Sequence, residues 1–322
     1  MKRGLIQMFA AVFLFVSAAA ASAQSLVEVT GFGSNPGNLR MFRYVPANLP
    51  AGSPLVVVAH GCGQTAQQMA TTSGWLTLAD RHKIALVFPQ TSTQNEPQGG
   101  CFRTWQAAHH TRGAGEALSV RQMITRMRTL YPAISAARIH MTGMSSGGHL
   151  TNVMLATYPE VFASGAPQSS FPYKCATTFA QVALCASGGR QNTHTAQMWG
   201  NLARSGYPGY TGPRPKVLIW HGGSDPLMYL SNQYMQVMQW TNAHGIDATA
   251  DWVDYVLGRP RISYRTGAGE TRVQTITVQG MGHAVAVDPG SGSKQCGAIG
   301  PYAVDVNICA AHWTAAFFGI AP

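Results

Sequence analysis

Charged residues are scarce in this sequence of 322 residues, of which only 11% are Asp, Glu, Lys or Arg. The 17 Arg and 5 Lys give a formal net charge of +10, but they are scattered singly along the chain. Nucleic-acid binding usually requires Lys and Arg clustered on one face or in one stripe. The sequence therefore predicts a weakly charged, basic surface and no nucleic-acid partner.

Long apolar runs are missing except near the N-terminus, where residues 5–16 follow two basic residues and precede Ala21-Ser22-Ala23. This layout is typical of a secretory signal peptide, and the run is too short to span a membrane. We therefore expect cleavage of residues 1–23 and secretion to the extracellular space or the periplasm, with no membrane partner.

Internal repeats, low-complexity tracts and Ser/Thr-rich linkers are also absent. Residues 24–322 suffice for one large domain. We expect a single domain that acts as a monomer, with no C-terminal linker or substrate-binding domain after it.

Six cysteines in an exported chain indicate three disulfides, for which 15 pairings exist. Proximity favours Cys62–Cys101, Cys175–Cys185 and Cys296–Cys309. No Cys-x-x-Cys or paired-His spacing accompanies these cysteines, so we expect structural bridges and no metal site.

Four apolar runs bounded by turn residues are typical of strands buried on both faces of a parallel sheet, namely residues 54–60, 84–89, 138–142 and 216–221. Between the second and third runs, residues 117–131 carry apolar side chains at helical spacing. Alternating strands and helices predict an α/β fold, a mostly parallel central sheet with helices on both faces.

Four peripheral segments are also predicted. Residues 39–45 alternate as an antiparallel edge strand does, residues 253–256 and 261–266 can form a late hairpin, residues 205–215 read as a surface loop, and residues 302–319 are expected to form a closing helix.

The pentapeptide Gly143-Met144-Ser145-Ser146-Gly147 is a G-x-S-x-G motif between a predicted strand and a helix predicted at 148–157. In the α/β-hydrolase fold this setting forms a tight turn that presents a nucleophilic serine, and the glycines avoid steric clashes. We predict Ser145 as the nucleophile.

A serine nucleophile needs a base, and eleven histidines are available. His283 lies in a glycine-rich loop directly after a strand predicted at 275–278, so we predict it as the base. His60 and His221 end buried strands and are expected to bond nearby backbone. His109 and His110 either line a cleft or, as is commoner for loop histidines, face solvent.

Only twelve Asp and Glu residues could orient that base. Asp225 follows the strand predicted at 216–221 within a short turn, and we predict it as the acid. The order Ser145, Asp225, His283 is that of α/β-hydrolases. The alternatives, Asp247, Asp251, Asp254 and Asp288, are more typical of solvated loop or hairpin charges.

Acyl transfer also needs hydrogen-bond donors for the developing oxyanion. The backbone amide of Ser146 follows the nucleophile, and the amide of Cys62 lies between two glycines in the turn after residues 54–60. We predict these two amides as the oxyanion hole.

Several segments resemble the catalytic domain of extracellular poly(3-hydroxybutyrate) depolymerases, which are secreted α/β-hydrolases related to feruloyl and acetylxylan esterases. The resemblance spans nearly all of residues 24–322 and includes His60-Gly61-Cys62-Gly63-Gln64-Thr65, Gly100-Cys101-Phe102 with Trp105, Gly115-Glu116-Ala117-Leu118-Ser119, the motif at Ser145, Tyr173 with Cys175 and Cys185, Tyr207-Pro208-Gly209-Tyr210-Thr211-Gly212-Pro213 and Gln279-Gly280-Met281-Gly282-His283.

The resemblance implies the same triad and oxyanion hole, and that Trp105 lines the substrate crevice, although Trp105 could equally belong to the core. It implies hydrolysis of a polyester or its oligomers through an acyl-enzyme, with no cofactor. Family members that erode solid granules usually carry an additional binding domain, so we expect oligomers or amorphous polymer as substrates here. The alternatives are a feruloyl or acetylxylan esterase and a binding protein without turnover.

Overall fold

A computed structural model of the chain describes residues 25–322, so the predicted signal peptide lies outside the described residues. Ten strands form one sheet in the order β1-β2-β4-β3-β5-β6-β7-β10-β9-β8, and two more form a small parallel pair. The strands are β1 (Val27–Val29), β2 (Arg40–Tyr44), β3 (Ser53–Ala59), β4 (Ala85–Gln90), β5 (Ile134–Met144), β6 (Ser164–Gln168), β7 (Lys216–Gly222), β8 (Trp252–Val256), β9 (Arg259–Arg265), β10 (Thr271–Val278), β11 (Val285–Val287) and β12 (Ala303–Asp305).

Helices connect most of these strands. Within residues 25–322 they are α1 (Ala66–Thr72), α2 (Trp75–His82), α3 (Ala107–His110), α4 (Gly115–Leu130), α5 (Ser146–Thr157), α6 (Val182–Ala186), α7 (Ala196–Arg204), α8 (Ser231–Ala243) and α9 (Ala310–Phe318), with a 3₁₀ turn at Phe179–Gln181. No helix in this range is long and apolar enough to cross a membrane.

Six neighbouring strands, β4, β3, β5, β6, β7 and β10, run parallel and form the centre of the sheet. Every residue of β3 and β4 is buried because helices cover both faces. Successive side chains of β3 alternate between the two layers, with Leu55 and Val57 facing α4, α5 and α8 and Val56 and Val58 facing α1, α2 and α9. The predicted α/β architecture and its four core strands are confirmed.

The periphery agrees with the sequence in part. The late hairpin forms as β8 and β9, and residues 205–215 contain neither helix nor strand. The strand predicted at 39–45 is antiparallel, but it is not at the edge because β1 pairs along its outer side.

The closing helix is correct only from Ala310 onward. Residues 303–305 instead form β12 and pair with β11, and the Cys296–Cys309 disulfide holds the start of α9 against that small sheet. The alternation of β12 is too short to distinguish from a helix start in the sequence alone.

A buried carboxylate, Glu116, lies in the first turn of α4. Its side chain is fully buried, and the nearest cation is Arg103, whose Nε lies 3.6 Å from Oε1. Arg103 also donates from Nη2 to the carbonyl of Gly37 and to the side chain of Asn95. Burial raises the pKa of Glu116 to about 8, although the Arg103 guanidinium opposes the shift. The carboxyl group is therefore neutral in the folded protein below that pH.

This raised pKa predicts a pH-dependent loss of stability. Between about pH 4.5 and pH 8 the folded state keeps a proton that the unfolded state releases, so the free energy of unfolding falls as pH rises. Because Glu116→Gln is neutral throughout, its stability relative to the parent should increase from pH 5 to pH 8, by on the order of 1–4 kcal/mol. Urea denaturation at several pH values measures this difference. Glu270→Gln, at a half-exposed carboxylate, is the control. If the difference in free energy of unfolding between Glu116→Gln and the parent does not change with pH, the prediction is wrong.

Candidate active site

Ser145 lies on a tight turn between β5 and α5, with backbone angles φ 57° and ψ −117° that a residue with a side chain rarely adopts. The turn is held by its amide, which donates to the carbonyl of Gln168 at 2.9 Å. A side chain at Gly143 would collide with the carbonyl of Gly147, and one at Gly147 would collide with that of Ala59. The glycines of the motif are therefore required by the close approach of the three backbones.

Asp225 and His283 follow the adjacent parallel strands β7 and β10, so their loops leave the same edge of the sheet. His283 Nδ1 lies 2.8 Å from Asp225 Oδ2. The other carboxylate oxygen of Asp225 accepts hydrogen bonds from the amides of Leu227 at 2.9 Å and Met228 at 2.8 Å. The Asp225 carboxylate is thus fixed from both sides.

These contacts decide the charge and the tautomer of the pair. Burial acts to raise the pKa of Asp225, but hydrogen bonds from His283, Met228 and Leu227 outweigh it, and the pKa is lowered. An ionised carboxylate only accepts hydrogen bonds, so Nδ1 of His283 carries the proton. Nε2 is then the basic nitrogen of the ring.

Ser145 and His283 line one pocket of about 190 Å³, together with Gly61, Cys62 and Tyr302. In the described part of the chain, the side-chain hydrogen bond of His283 is the one to Asp225. In unliganded sites the second bond, from the serine, often forms only when substrate binds. The pocket therefore brings Ser145 and His283 together, and Asp225 joins them through its contact with His283.

The amides of Cys62 and Ser146 lie beside Ser145. Cys62 lines the same pocket in the turn after β3, which is held by the Cys62–Cys101 disulfide. Ser146 is the first residue of α5, where N–H groups lack a partner within the helix and the helix dipole is positive. Across residues 25–322, no backbone carbonyl accepts a hydrogen bond from either amide. Both donors remain available for a ligand.

The segment that carries Cys101 is also bonded to the start of α5, because the Phe102 amide donates to the Ser146 hydroxyl at 2.8 Å. Three residues further on, Trp105 is only 6% exposed. It lines a second cavity, of about 60 Å³, that reaches Ser145. Trp105 therefore contributes both to a buried cluster and to a cavity at the candidate site.

The competing histidines have structural contacts. Nδ1 of His60 lies 2.6 Å from the carbonyl of Gly61, and Nε2 of His221 lies 2.7 Å from that of Met228, as expected. The expectation of solvent exposure for His109 and His110 is wrong, because both are buried in α3. Nδ1 of His110 lies 2.9 Å from the carbonyl of Thr104, which ties α3 to the Trp105 segment.

The competing acids lie elsewhere. Asp254 pairs with Arg261, whereas Asp247, Asp251 and Asp288 accept hydrogen bonds from Thr249, Arg265 and Gln295 respectively. Of the five acids considered, Asp225 contacts His283.

The three disulfides join Cys62 to Cys101, Cys175 to Cys185 and Cys296 to Cys309, the pairs that proximity favours. Within residues 25–322 no group of three or more His, Cys, Asp or Glu side chains is arranged to hold a metal ion.

Several residues at the site escaped the sequence analysis, namely Leu227, Met228, Phe171, Phe179, Val182 and Tyr302. All lie on loops, short turns or the ends of short helices, and none belongs to a pattern with a catalytic meaning. Tyr302 was expected in a helix, but it precedes β12 and lies beside His283, with ring centroids 6.2 Å apart.

Comparisons with known proteins agree with this geometry. A family model described as Esterase PHB depolymerase matches residues 41–252. The chain is 46% identical to poly(3-hydroxyalkanoate) depolymerase C of Paucimonas lemoignei over 307 residues, 95% of this chain and 73% of that protein. It is 38% identical to feruloyl esterase B of Neurospora crassa over 241 residues, 73% of this chain and 80% of that protein.

Among solved structures, an acetyl xylan esterase from Aspergillus awamori superimposes with a TM-score of 0.77 at 28% identity, covering 92% of this chain and all of that one. The likeness extends over almost the whole described chain. The predicted α/β-hydrolase fold is confirmed.

Proposed function

Because this chain belongs to the Esterase PHB depolymerase family, whose members are carboxylic ester hydrolases, we propose that it hydrolyses the ester bonds of a poly(3-hydroxybutyrate)-type polyester or its oligomers. The observation that carries the proposal is that His283, which contacts Asp225 at 2.8 Å, lines the same pocket as Ser145. The 46% identity to a depolymerase over 95% of the chain supports the substrate class.

The proposed reaction is acyl transfer through Ser145. Its hydroxyl oxygen bonds to the ester carbonyl carbon while Nε2 of His283 takes the hydroxyl proton. The C–O bond to the alcohol then breaks, and His283 passes the proton to the departing oxygen. Water repeats the sequence on the acyl-enzyme and releases the acid. Asp225 stabilises the imidazolium in both halves of the reaction.

The carbonyl oxygen becomes an oxyanion in each tetrahedral intermediate. We propose that the Cys62 and Ser146 amides bind this oxygen, each contributing about 3–4 kcal/mol to the transition state. Two observations support this assignment: among residues 25–322 neither amide donates to a backbone carbonyl, and Ser146 lies at the positive end of α5.

The triad assignment predicts a steep loss of turnover in two variants. Ser145→Ala should lower kcat on p-nitrophenyl butyrate by about 10⁴-fold or more, and Asp225→Asn by about 10⁴-fold through loss of the His283 tautomer. Steady-state kinetics on folded proteins, verified by circular dichroism, test both. Asp254→Asn, at an acid paired with Arg261 away from the pocket, is the matched control. Full esterase activity in Ser145→Ala would falsify the mechanism.

A second candidate function is hydrolysis of feruloyl or acetyl esters on plant polysaccharide. It is favoured by the identity to feruloyl esterase B and by the superposition on an acetyl xylan esterase. The same residues would perform that chemistry, so the difference lies in the groups that the cavities accept.

A substrate panel separates the two functions. With the purified protein we expect release of 3-hydroxybutyrate from amorphous poly(3-hydroxybutyrate) and its oligomers, and little release of ferulate from methyl ferulate or of acetate from acetylated xylan. Chromatography of the products measures all three. Activity on the polysaccharide esters without release of 3-hydroxybutyrate reverses the proposal, and the Ser145→Ala protein serves as the blank.

We also propose that the protein is secreted and acts as a monomer. Three disulfides among residues 25–322 support an oxidising compartment.

Export of the full-length chain from a bacterial host should release a protein whose N-terminus is Gln24, because cleavage is expected after Ala23. Intact-mass spectrometry and light scattering of that protein measure the cleavage site and the oligomeric state. An uncleaved N-terminus counts against export, and a stable dimer mass counts against the monomer.

A further inference from the structure

Two cavities meet at Ser145. The first, of about 190 Å³, contains His283, Leu227 and Tyr302, and the second, of about 60 Å³, contains Ser146 and Trp105. They have Ser145, Cys62 and Met228 in common. An ester bound at Ser145 therefore has two places for its two substituents.

The chemistry of the proposed reaction distinguishes the two places. The departing alcohol oxygen must receive a proton from His283, so the alcohol portion belongs in the cavity that His283 lines. The oxyanion is bound by the amides of Cys62 and Ser146. The remaining substituent of the tetrahedral carbon, the acyl chain, is left with the second cavity.

The second cavity is narrow and almost entirely apolar. Its walls include the rings of Trp105, Phe171 and Phe179 and the side chains of Val182 and Met228. Its volume of about 60 Å³ suits a short aliphatic acyl group, whereas the larger aromatic acyl group of a ferulate ester exceeds it.

One wall separates this cavity from a larger one. Trp105 and Phe179 contact each other edge to face, with ring centroids 5.5 Å apart. Both rings also line a further cavity of about 400 Å³, whose other side is formed by Arg103, Gln106 and the segment from Asn95 to Gln98. The two rings thus form the end of the small cavity and the entrance to the large one.

The two rings of this wall are held differently. Trp105 is 6% exposed, and its segment is fixed by the Cys62–Cys101 disulfide and by the Phe102–Ser146 hydrogen bond. Phe179 is 50% exposed and lies near the tip of the loop closed by the Cys175–Cys185 disulfide. Its ring can therefore be removed with little effect on the core.

We propose that Phe179, held across the cavity by the Cys175–Cys185 loop, sets the upper limit on the length of the acyl chain. This inference rests on the proposed serine esterase function. Removing the ring joins the cavities of about 60 Å³ and about 400 Å³ and admits a longer acyl chain.

The test compares kcat/KM for p-nitrophenyl acetate, butyrate and octanoate. The parent enzyme should prefer butyrate to octanoate, and Phe179→Ala should raise the octanoate-to-butyrate ratio by about tenfold or more. Val182→Phe, which adds bulk to the same cavity, should lower butyrate relative to acetate by about tenfold. Thermal unfolding of each variant confirms that the fold is kept.

Leu184→Ala is the matched control, because Leu184 lies in the same disulfide loop, is 46% exposed and lines neither cavity. It should keep the parent ratios. If the parent and Phe179→Ala hydrolyse esters with the same octanoate-to-butyrate ratio, the proposed role of Phe179 is refuted while the esterase function stands. If the parent hydrolyses none of the three esters, both the esterase function and the proposed role of Phe179 are refuted.

Discussion

The close packing of three backbone segments at the end of the sheet is the constraint on which the rest of the site depends. The first turn of α5 passes so near the end of β3 that Gly147 has no room for a side chain against the Ala59 carbonyl. This approach holds Ser145 in its strained conformation and sets the turn containing Cys62 beside it. Strain of this kind persists only where the surrounding structure over-determines it, and here two buried parallel strands do so.

Glutamine side chains on α8 hold a neighbouring loop in place. Gln236 and Gln239, one helical step of three apart, donate to the backbone carbonyls of Ser170 and Tyr173. Between those carbonyls lies Phe171, whose own carbonyl accepts from the side chain of Asn152 on α5. Buried amide groups thus satisfy a loop that has no strand partner, and leaving such backbone groups unpaired would cost about 1–3 kcal/mol each. The helix thereby fixes one wall of the second cavity.

The residues that could be predicted from sequence are those with a pattern behind them. The core strands carry continuous apolar runs, and Asp225 follows one of them. His283 follows the strand predicted at 275–278, so the place of both residues at one sheet edge follows from topology. The cavity walls have no comparable signal, since Phe171 and Phe179 are ordinary aromatic residues in loops. The burial of His109 could not be seen either, because it depends on the Glu116 amide, which lies 3.3 Å from its ring, and on packing against α4.

The residues proposed for chemistry and the residue proposed for selectivity are supported differently by the fold. Ser145, Asp225 and His283 lie on turns anchored to buried strands, where a displacement would disrupt ladder hydrogen bonds. Phe179 lies on a loop closed by the disulfide between the buried Cys175 and Cys185, with its ring half in solvent. A change at Phe179 therefore alters the shape of a cavity without moving the groups proposed to act on the ester. Loops supported in this way can vary in sequence while the turns at the sheet edge stay fixed. One arrangement of serine, acid and histidine can therefore serve esters as different as those of polyesters and polysaccharides.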